Sequence, residues 1–221
     1  MDSKFSLNRT RRKRIGRIST DLERKPLRPD YSIIHDWIKN DSSVLDLGCH
    51  EGELLSLIVK KKNARAQGIE IDEKAIYKCV ELGLSVSHQD IDNGLSEYGD
   101  ESFDYVILNQ SIQQVKKPDV VLKESLRVGK EVVVGFPNFA HYSSRFQIFF
   151  RGKTPVTPSL PYEWYETPNL HFLSISDFRD YCRKQNIRIR RMAFFSNDGM
   201  IVMTNILANL LAQNGLFLIS K

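Results

Sequence analysis

Three carboxylates stand at intervals that could build one binding site. Asp46 opens a glycine turn, Asp46-Leu47-Gly48-Cys49-His50-Glu51-Gly52. Glu70 lies 24 residues later, within Gly68-Ile69-Glu70-Ile71-Asp72, and Asp90 follows Ser87-His88-Gln89 with Ile91 after it. Each closes a short run of strand character, so the three acids belong at the ends of three successive strands. Open α/β sheets bind nucleotide-like ligands there. A turn of this kind is expected to present backbone N–H groups and a helix N-terminus. The acid two residues before the first glycine changes the ligand class, because a carboxylate repels a pyrophosphate but accepts hydrogen bonds from a cationic amine. Glu70, at nearly the spacing of a ribose-binding acid, can accept both ribose hydroxyls. The Asp90 carboxylate can accept from an exocyclic amine while Ile91 packs on an adenine ring. The plainer alternatives are an ordinary surface acid at 70 and an ordinary loop acid at 90.

The glycine spacing excludes a dinucleotide turn. Gly-x-Gly-x-x-Gly needs glycine at 48, 50 and 53, where the chain has Gly48, His50 and Glu53. An adenosine ligand bearing an amino acid fits better, namely S-adenosylmethionine or its demethylated product S-adenosylhomocysteine. The candidate cofactor residues are Asp46, Gly48, Cys49, His50 and Gly52 in the turn, Glu70 with Ile71, Asp90 with Ile91, and Asn109 after the fourth strand. The loop Asn109-Gln110-Ser111-Ile112-Gln113-Gln114-Val115 offers amides and a hydroxyl but no acid or base, so no catalytic residue is assigned. Histidine at 50 brings bulk to a position where glycine allows positive φ and close approach, which predicts weakened rather than abolished cofactor binding.

The elements that must position these residues read as alternating β and α. A helix over about 31–39 carries Ile33, Ile34, Trp37 and Ile38, with Asp30 as its expected cap. Val44–Leu47 is the first strand, and Leu54, Leu55, Ile58 and Val59 mark the helix after the turn. Asp72 caps a helix from Glu73 to Leu82, Leu84–His88 is a strand, and Phe103–Leu108 has the continuous apolar character of a buried parallel strand. A helix from Pro118 to Leu126 and a strand from Glu131 to Phe136 follow. Ser174-Ile175-Ser176-Asp177 is a capping box opening a helix to Lys184, Ile187–Ser196 is the sixth strand, and 205–212 has helical spacing. Asn214-Gly215 reads as a turn before a final strand over Leu216–Ser220.

Length and charge bound the function classes. The 221 residues suit one α/β domain, with 41% hydrophobic and 27% charged residues. No apolar run approaches a membrane span or a secretory signal, so a cytoplasmic protein is expected. Cys49, Cys79 and Cys182 are odd in number and far apart, which implies neither a disulfide framework nor a metal site. Of the 32 Lys/Arg and 27 Asp/Glu, ten and four fall in residues 1–30, so the basic excess sits in an N-terminal arm, mostly in 9–17. Residues 1–26 are expected to form a disordered arm ahead of a domain over 27–221. That arm is the one place where nucleic acid could bind; the body has no basic stripe.

Residues 137–173 break the alternation. They hold many aromatics and four prolines from Pro155 to Pro168, too aromatic for a solvent loop and too proline-rich for one helix. A helix over about 141–150 and an irregular cover are expected. The cover either walls a substrate pocket or presents a protein-binding surface, or its aromatics simply cap the core. His141, Tyr162, Glu163 and His171 are the residues there that could orient a methyl acceptor.

The turn resembles the first motif of class I S-adenosylmethionine-dependent methyltransferases, Asp/Glu-x-Gly-x-Gly-x-Gly, with His50 in place of the middle glycine. That resemblance implies a Rossmann-like α/β fold with a seven-stranded, mostly parallel sheet, an antiparallel last strand and helices on both faces. A narrower resemblance runs from about residue 27 to the end. It is carried by Gly135-Phe136-Pro137-Asn138-Phe139-Ala140-His141, by Arg151-Gly152-Lys153-Thr154-Pro155-Val156-Thr157, and by Leu160-Pro161-Tyr162-Glu163-Trp164-Tyr165-Glu166-Thr167-Pro168-Asn169-Leu170-His171. These segments are similar to the methionine-biosynthesis protein MetW family. Membership implies a role beside homoserine O-acyltransferase, whose activity the protein would support through complex formation. It brings no assigned methyl acceptor.

Overall fold

Alternation along the strands sets the layers. The computed structural model describes residues 27–201 and 207–221. The basic run 9–17, and the start of the helix expected over 205–212, lie outside the described residues. Strands β1 (Ser43–Leu47), β4 (Phe103–Asn109) and β5 (Gly129–Pro137) are apolar almost throughout because both their faces are covered. Val44, Tyr105, Ile107 and Val133 pack on one face with Ile34 of α1 (Pro29–Trp37) and with Leu54 and Ile58 of α2 (Glu53–Lys62). Leu45, Val106, Leu108, Val132 and Val134 pack on the other face. There they meet Val121, Leu122 and Leu126 of α4 (Pro118–Val128) and Ile175 and Phe178 of α6 (Ile175–Lys184).

The sheet adds β2 (Arg65–Glu70) and β3 (Ser85–His88) beside β1, and β7 (Asn214–Ser220) and β6 (Arg188–Phe195) beyond β5. Its order is β3-β2-β1-β4-β5-β7-β6. The pairs from β3 to β5 are parallel, and β7 runs antiparallel to both its neighbours. The chain therefore moves outward from β1 to β3 and returns to β4 on the other side of β1. The carboxyl ends of β1 and β4 diverge into a crevice at this switch.

Several local signals formed as the residues dictate. The Asp72 side chain accepts from the Lys74 amide ahead of α3 (Glu73–Glu81), and Ser174 and Asp177 make both bonds of the capping box. Two did not. Pro29 takes the first helical position, where its missing N–H costs nothing. Asp30 is consequently inside the first turn rather than at the cap, and it is buried. Asn214-Gly215 is paired strand, not a turn, with Asn214 opposite Pro137 and Gly215 opposite Phe136. A Cβ at Gly215 would meet Ile175 Cγ1 at 3.0 Å, so this glycine serves a close strand–helix contact instead of a reversal.

The segment after β5 forms α5 (Tyr142–Arg151) and then irregular chain. The Leu170 and His171 amides donate to the Gln113 carbonyl at 2.9 and 3.1 Å, tying this cover to the loop that follows β4. Among the described residues no helix is long and apolar enough to cross a membrane.

Candidate functional site

The crevice holds a cavity of about 800 Å³ at the carboxyl ends of β1, β2 and β4. Nine of the ten residues expected from sequence line it: Asp46, Gly48, Cys49, His50, Glu70, Ile71, Asp90, Ile91 and Asn109. Gly52 is not among them. It stands at the entry to α2 with φ 77°, and a Cβ there would fall 2.5 Å from Leu84 Cδ1 and 2.9 Å from Cys79 Sγ. Its role is to let the chain turn tightly over α3.

The turn itself is braced from within. The Gly48 and Cys49 amides donate to the Ile69 carbonyl at 2.9 and 3.1 Å, and the Gly52 amide donates to the Cys49 carbonyl at 3.0 Å. The His50 amide donates to Glu70 Oε2 at 2.7 Å. These four N–H groups are thus engaged inside the protein, and the expected cradle of free amides is not what the turn offers. Glu70 is the keystone, since its other oxygen accepts from the Ile71 and Asp72 amides at 2.8 and 3.0 Å. A carboxylate oxygen has two lone pairs, so Oε2 retains capacity for a hydroxyl donor. Asp90 is similarly part-used, taking the Asp92 amide at 2.9 Å.

His50 has φ 49°, in the left-handed region, between Gly48 at 80° and Gly52 at 77°. This is the conformation the missing glycine would have adopted, and for a side chain it costs roughly 1–2 kcal/mol. His50→Gly is expected to leave stability within about 1 kcal/mol, since glycine's extra unfolded-state entropy offsets the relief. It is expected to tighten S-adenosylmethionine binding by opening the turn to closer approach. Calorimetric titration of both proteins checks this; equal affinities would show that the imidazole is harmless.

Asp46 is the most perturbed acid of the site. It is 2% exposed, lines the cavity, and its carboxylate takes no hydrogen bond from any described residue. Burial first, and the Glu70 charge second, push it from its ordinary 3.8 up to about 7. An acid whose folded value is raised binds more protons folded than unfolded between those two values. Its contribution to stability is therefore present at low pH and is lost as pH rises from about 4 toward about 7. Asp46→Asn is expected to remove that slope, so thermal melts at pH 5 and pH 7.5 without ligand should differ less in the variant than in the wild type. A cationic ligand favours the ionised carboxylate, so its binding near pH 6 should release a proton from the wild type only. Titration in buffers of different ionisation heat reads that proton directly.

Two lining residues, Arg28 and Tyr31, and one support, Asp30, were not found by sequence reasoning. Arg28 clasps the buried Asp30 carboxylate through Nε at 3.1 Å and Nη2 at 2.7 Å, and its guanidinium lies 4.4 Å over the Tyr31 ring. Asn109 Nδ2 donates to the same Asp30 carboxylate at 2.8 Å. Asn109 is thereby fixed to the first helix, and Gly135 makes room for it, since a Cβ there would fall 2.3 Å from Asn109 Oδ1. The available signal was Arg28-Pro29-Asp30, which reads locally as a helix start; only tertiary contact turns it toward the cavity.

The charge balance narrows the ligand. Six acids line the cavity (Asp46, Glu51, Glu53, Glu70, Asp90 and Asp92) against Arg28 and Lys116, and of these Glu51 is ion-paired with Lys78 outside the lining. Such a lining disfavours phosphate and favours a cation carrying hydroxyls. Among the described residues no cluster of His, Cys, Asp or Glu is arranged to hold a metal. Cys49 and Cys79 are buried, and burial pushes both thiols up, away from thiolate chemistry. A second cavity of about 450 Å³ adjoins the first between the post-β4 loop and the cover, sharing Arg28, Gln110, Gln114 and Tyr162. Tyr162 lines both; His141, Glu163 and His171 line neither.

Sheet order, switch-point crevice and acids at successive strand ends define a class I methyltransferase fold. An S-adenosylmethionine-dependent methyltransferase from Mesorhizobium loti superposes with a TM-score of 0.66 at 13% identity, over 90% of this chain and 100% of that one. Another from Archaeoglobus fulgidus gives 0.63 at 16% identity, over 87% and 93%. At such identities the likeness establishes the fold alone. Within that fold the chain belongs to the MetW family: the model for "Methionine biosynthesis protein MetW" matches residues 28–219. A relative from Rhodopirellula baltica, the bifunctional methionine biosynthesis protein MetXA/MetW, is 34% identical over 181 residues, covering 78% of this chain and 29% of that protein. The chain thus spans less than a third of that relative's length.

Proposed function

We propose that this MetW-family protein binds S-adenosylmethionine or S-adenosylhomocysteine in the acid-lined cavity and serves methionine biosynthesis as a partner that supports homoserine O-acyltransferase in the cytoplasm. The observation that carries the binding half is the buried Asp46 carboxylate, without a hydrogen-bond partner among the described residues, lining the cavity beside Glu70. It suits the amino group of an amino-acid ligand, while Glu70 suits the ribose and Asp90 with Ile91 the adenine. The partner half is supported by the bifunctional relative, which joins MetXA and MetW in one chain, and by a post-β4 loop that carries no acid or base. Mixing the purified protein with homoserine O-acyltransferase should give a complex on gel filtration and raise acyltransferase activity. Separate elution with unchanged activity would refute the partnership.

One observation favours a second reading, an active small-molecule methyltransferase. The 450 Å³ cavity beside the cofactor cavity could seat an acceptor against Tyr162 and Gln110. In-line transfer from a sulfonium needs positioning more than acid–base help, so the missing base does not oppose it. Transfer of labelled methyl groups to metabolites of a cell extract distinguishes the two readings.

A further inference from the structure

We propose that the outward aromatic face of α5 is the surface on which the acyltransferase docks, through an apolar patch with an acidic rim on that partner; this rests on the partner role proposed above. The helix is built inside out. Ser144 is its only buried residue, while Tyr142, Phe146, Phe149 and Phe150 recur at i, i+4, i+7 and i+8 on one face. All four are exposed, Phe149 at 81%. The three phenylalanine rings pair with one another rather than with the core, Phe146 to Phe150 at 4.4 Å and Phe149 to Phe150 at 4.8 Å between centroids, while Tyr142 lies against the His141 ring at 4.3 Å. Exposed apolar clusters of this kind mark interaction sites, and aromatics are the residues that dominate interface energetics. The helix is also held in place without using that face. His141 caps it through the Ser143 amide, and Gln147 exchanges two hydrogen bonds with the Val156 backbone at 2.9 and 3.2 Å.

Charge selects the occupant. From residue 138 to 162 the chain has Arg145, Arg151 and Lys153 and no acid. Arg145 stands one helical turn from Phe149, and Arg151 and Lys153 close the carboxyl end of the helix. The protein's own N-terminal arm, with ten Lys/Arg and four Asp/Glu in its first 30 residues, has the wrong sign to cover this patch. A second copy is disfavoured for the same reason, because a two-fold interface would set the three cations against themselves. The bifunctional relative, in which a MetW region and a MetXA region share one chain, favours a protein partner over a membrane or nucleic acid.

The test uses three full-length proteins: the wild type, Phe146→Ser/Phe149→Ser/Phe150→Ser, and the rim reversal Arg151→Glu/Lys153→Glu, which spares Arg145 because its Nε donates to the Ala140 carbonyl at 2.6 Å. Binding to purified homoserine O-acyltransferase is titrated by calorimetry at two salt concentrations. Thermal melts and S-adenosylmethionine binding monitor fold and cavity, which the exposed substitutions should leave unchanged. The serine variant is expected to bind the acyltransferase at least about thirtyfold more weakly, the scale of losing one interface hot spot. The reversal should weaken binding and abolish its salt dependence. A wild type that binds the acyltransferase while the serine variant binds equally well overturns the surface assignment and leaves the partnership standing. A wild type that forms no complex overturns both. A wild type that instead self-associates, or that binds anionic phospholipid vesicles or DNA, with the serine variant failing to do so, reassigns this face and overturns the proposal.

Discussion

Replacing Glu70 by alanine is expected to weaken S-adenosylmethionine binding by about 100-fold or more and to cost on the order of 2–4 kcal/mol of stability. Both effects come from one carboxylate with two duties. On the protein side its oxygens take three backbone amides, of His50 at 2.7 Å, Ile71 at 2.8 Å and Asp72 at 3.0 Å. Bonds to an ionised acceptor contribute roughly 1.5–3 kcal/mol each, and an amide left buried without a partner keeps its desolvation cost. The His50 bond joins the glycine turn to β2, so its loss releases the turn that shapes the cavity. On the ligand side the same group is the candidate ribose acceptor. Glu70→Gln separates the duties, because an amide retains one acceptor oxygen but puts an N–H₂ where the other stood. It should preserve the Ile71 and Asp72 bonds and lose the His50 bond. Thermal melting and calorimetric titration of all three proteins check this. An alanine variant that melts lower yet binds within threefold of wild type would reduce Glu70 to a structural brace.

Gly52→Ala should be nearly as severe for stability, by about 2–4 kcal/mol, or on the order of 5–10 °C in melting temperature for a domain of this size. Two costs add. A residue with φ 77° bears the left-handed penalty of roughly 1–2 kcal/mol when it carries a Cβ. The new atom would also stand 2.5 Å from Leu84 Cδ1 and 2.9 Å from Cys79 Sγ, so well-packed atoms must move. The lower entropy of an unfolded alanine returns only about 0.4–1 kcal/mol. Leu84→Ala removes the closer clash, so the double variant should be destabilised by less than the sum of the two singles. Strict additivity would show that the backbone conformation, rather than the contact, carries the cost.

What the sequence by itself determined follows from local physics. Near-continuous apolar runs at Val44–Leu47 and Phe103–Leu108, amphipathic helices between them, and acids at strand ends specify a parallel α/β sheet and the end at which its cavity opens. Glycine spacing with an acid ahead of it argues for an amino-acid nucleoside rather than a dinucleotide. Nine of ten candidate residues accordingly came together around one cavity. Motif-length segments in 135–171 carried the MetW resemblance, and the family match over 28–219 agrees with it.

Only the tertiary structure decided who partners whom. Asp30 and Asn109 are 79 residues apart, and no local pattern links them; the fold buries the acid where the amide must be held. Gly52 belongs to the motif in sequence, but it faces α3 because the chain had to enter α2 over Cys79 and Leu84. Asn214-Gly215 has turn chemistry, yet pairing with β5 and β6 outweighs it, since a strand can use the bare glycine for close approach to Ile175. The glycine turn itself was legible as a loop at the strand ends, where the cavity lies, but not its state. Its amides at 48, 49, 50 and 52 bond within the protein, because the Ile69 carbonyl and the Glu70 carboxylate of the adjoining strand are close enough to take three of them and the turn's own Cys49 carbonyl takes the fourth. The sequence names the residues around the cavity; packing decides which of their hydrogen bonds remain to be offered.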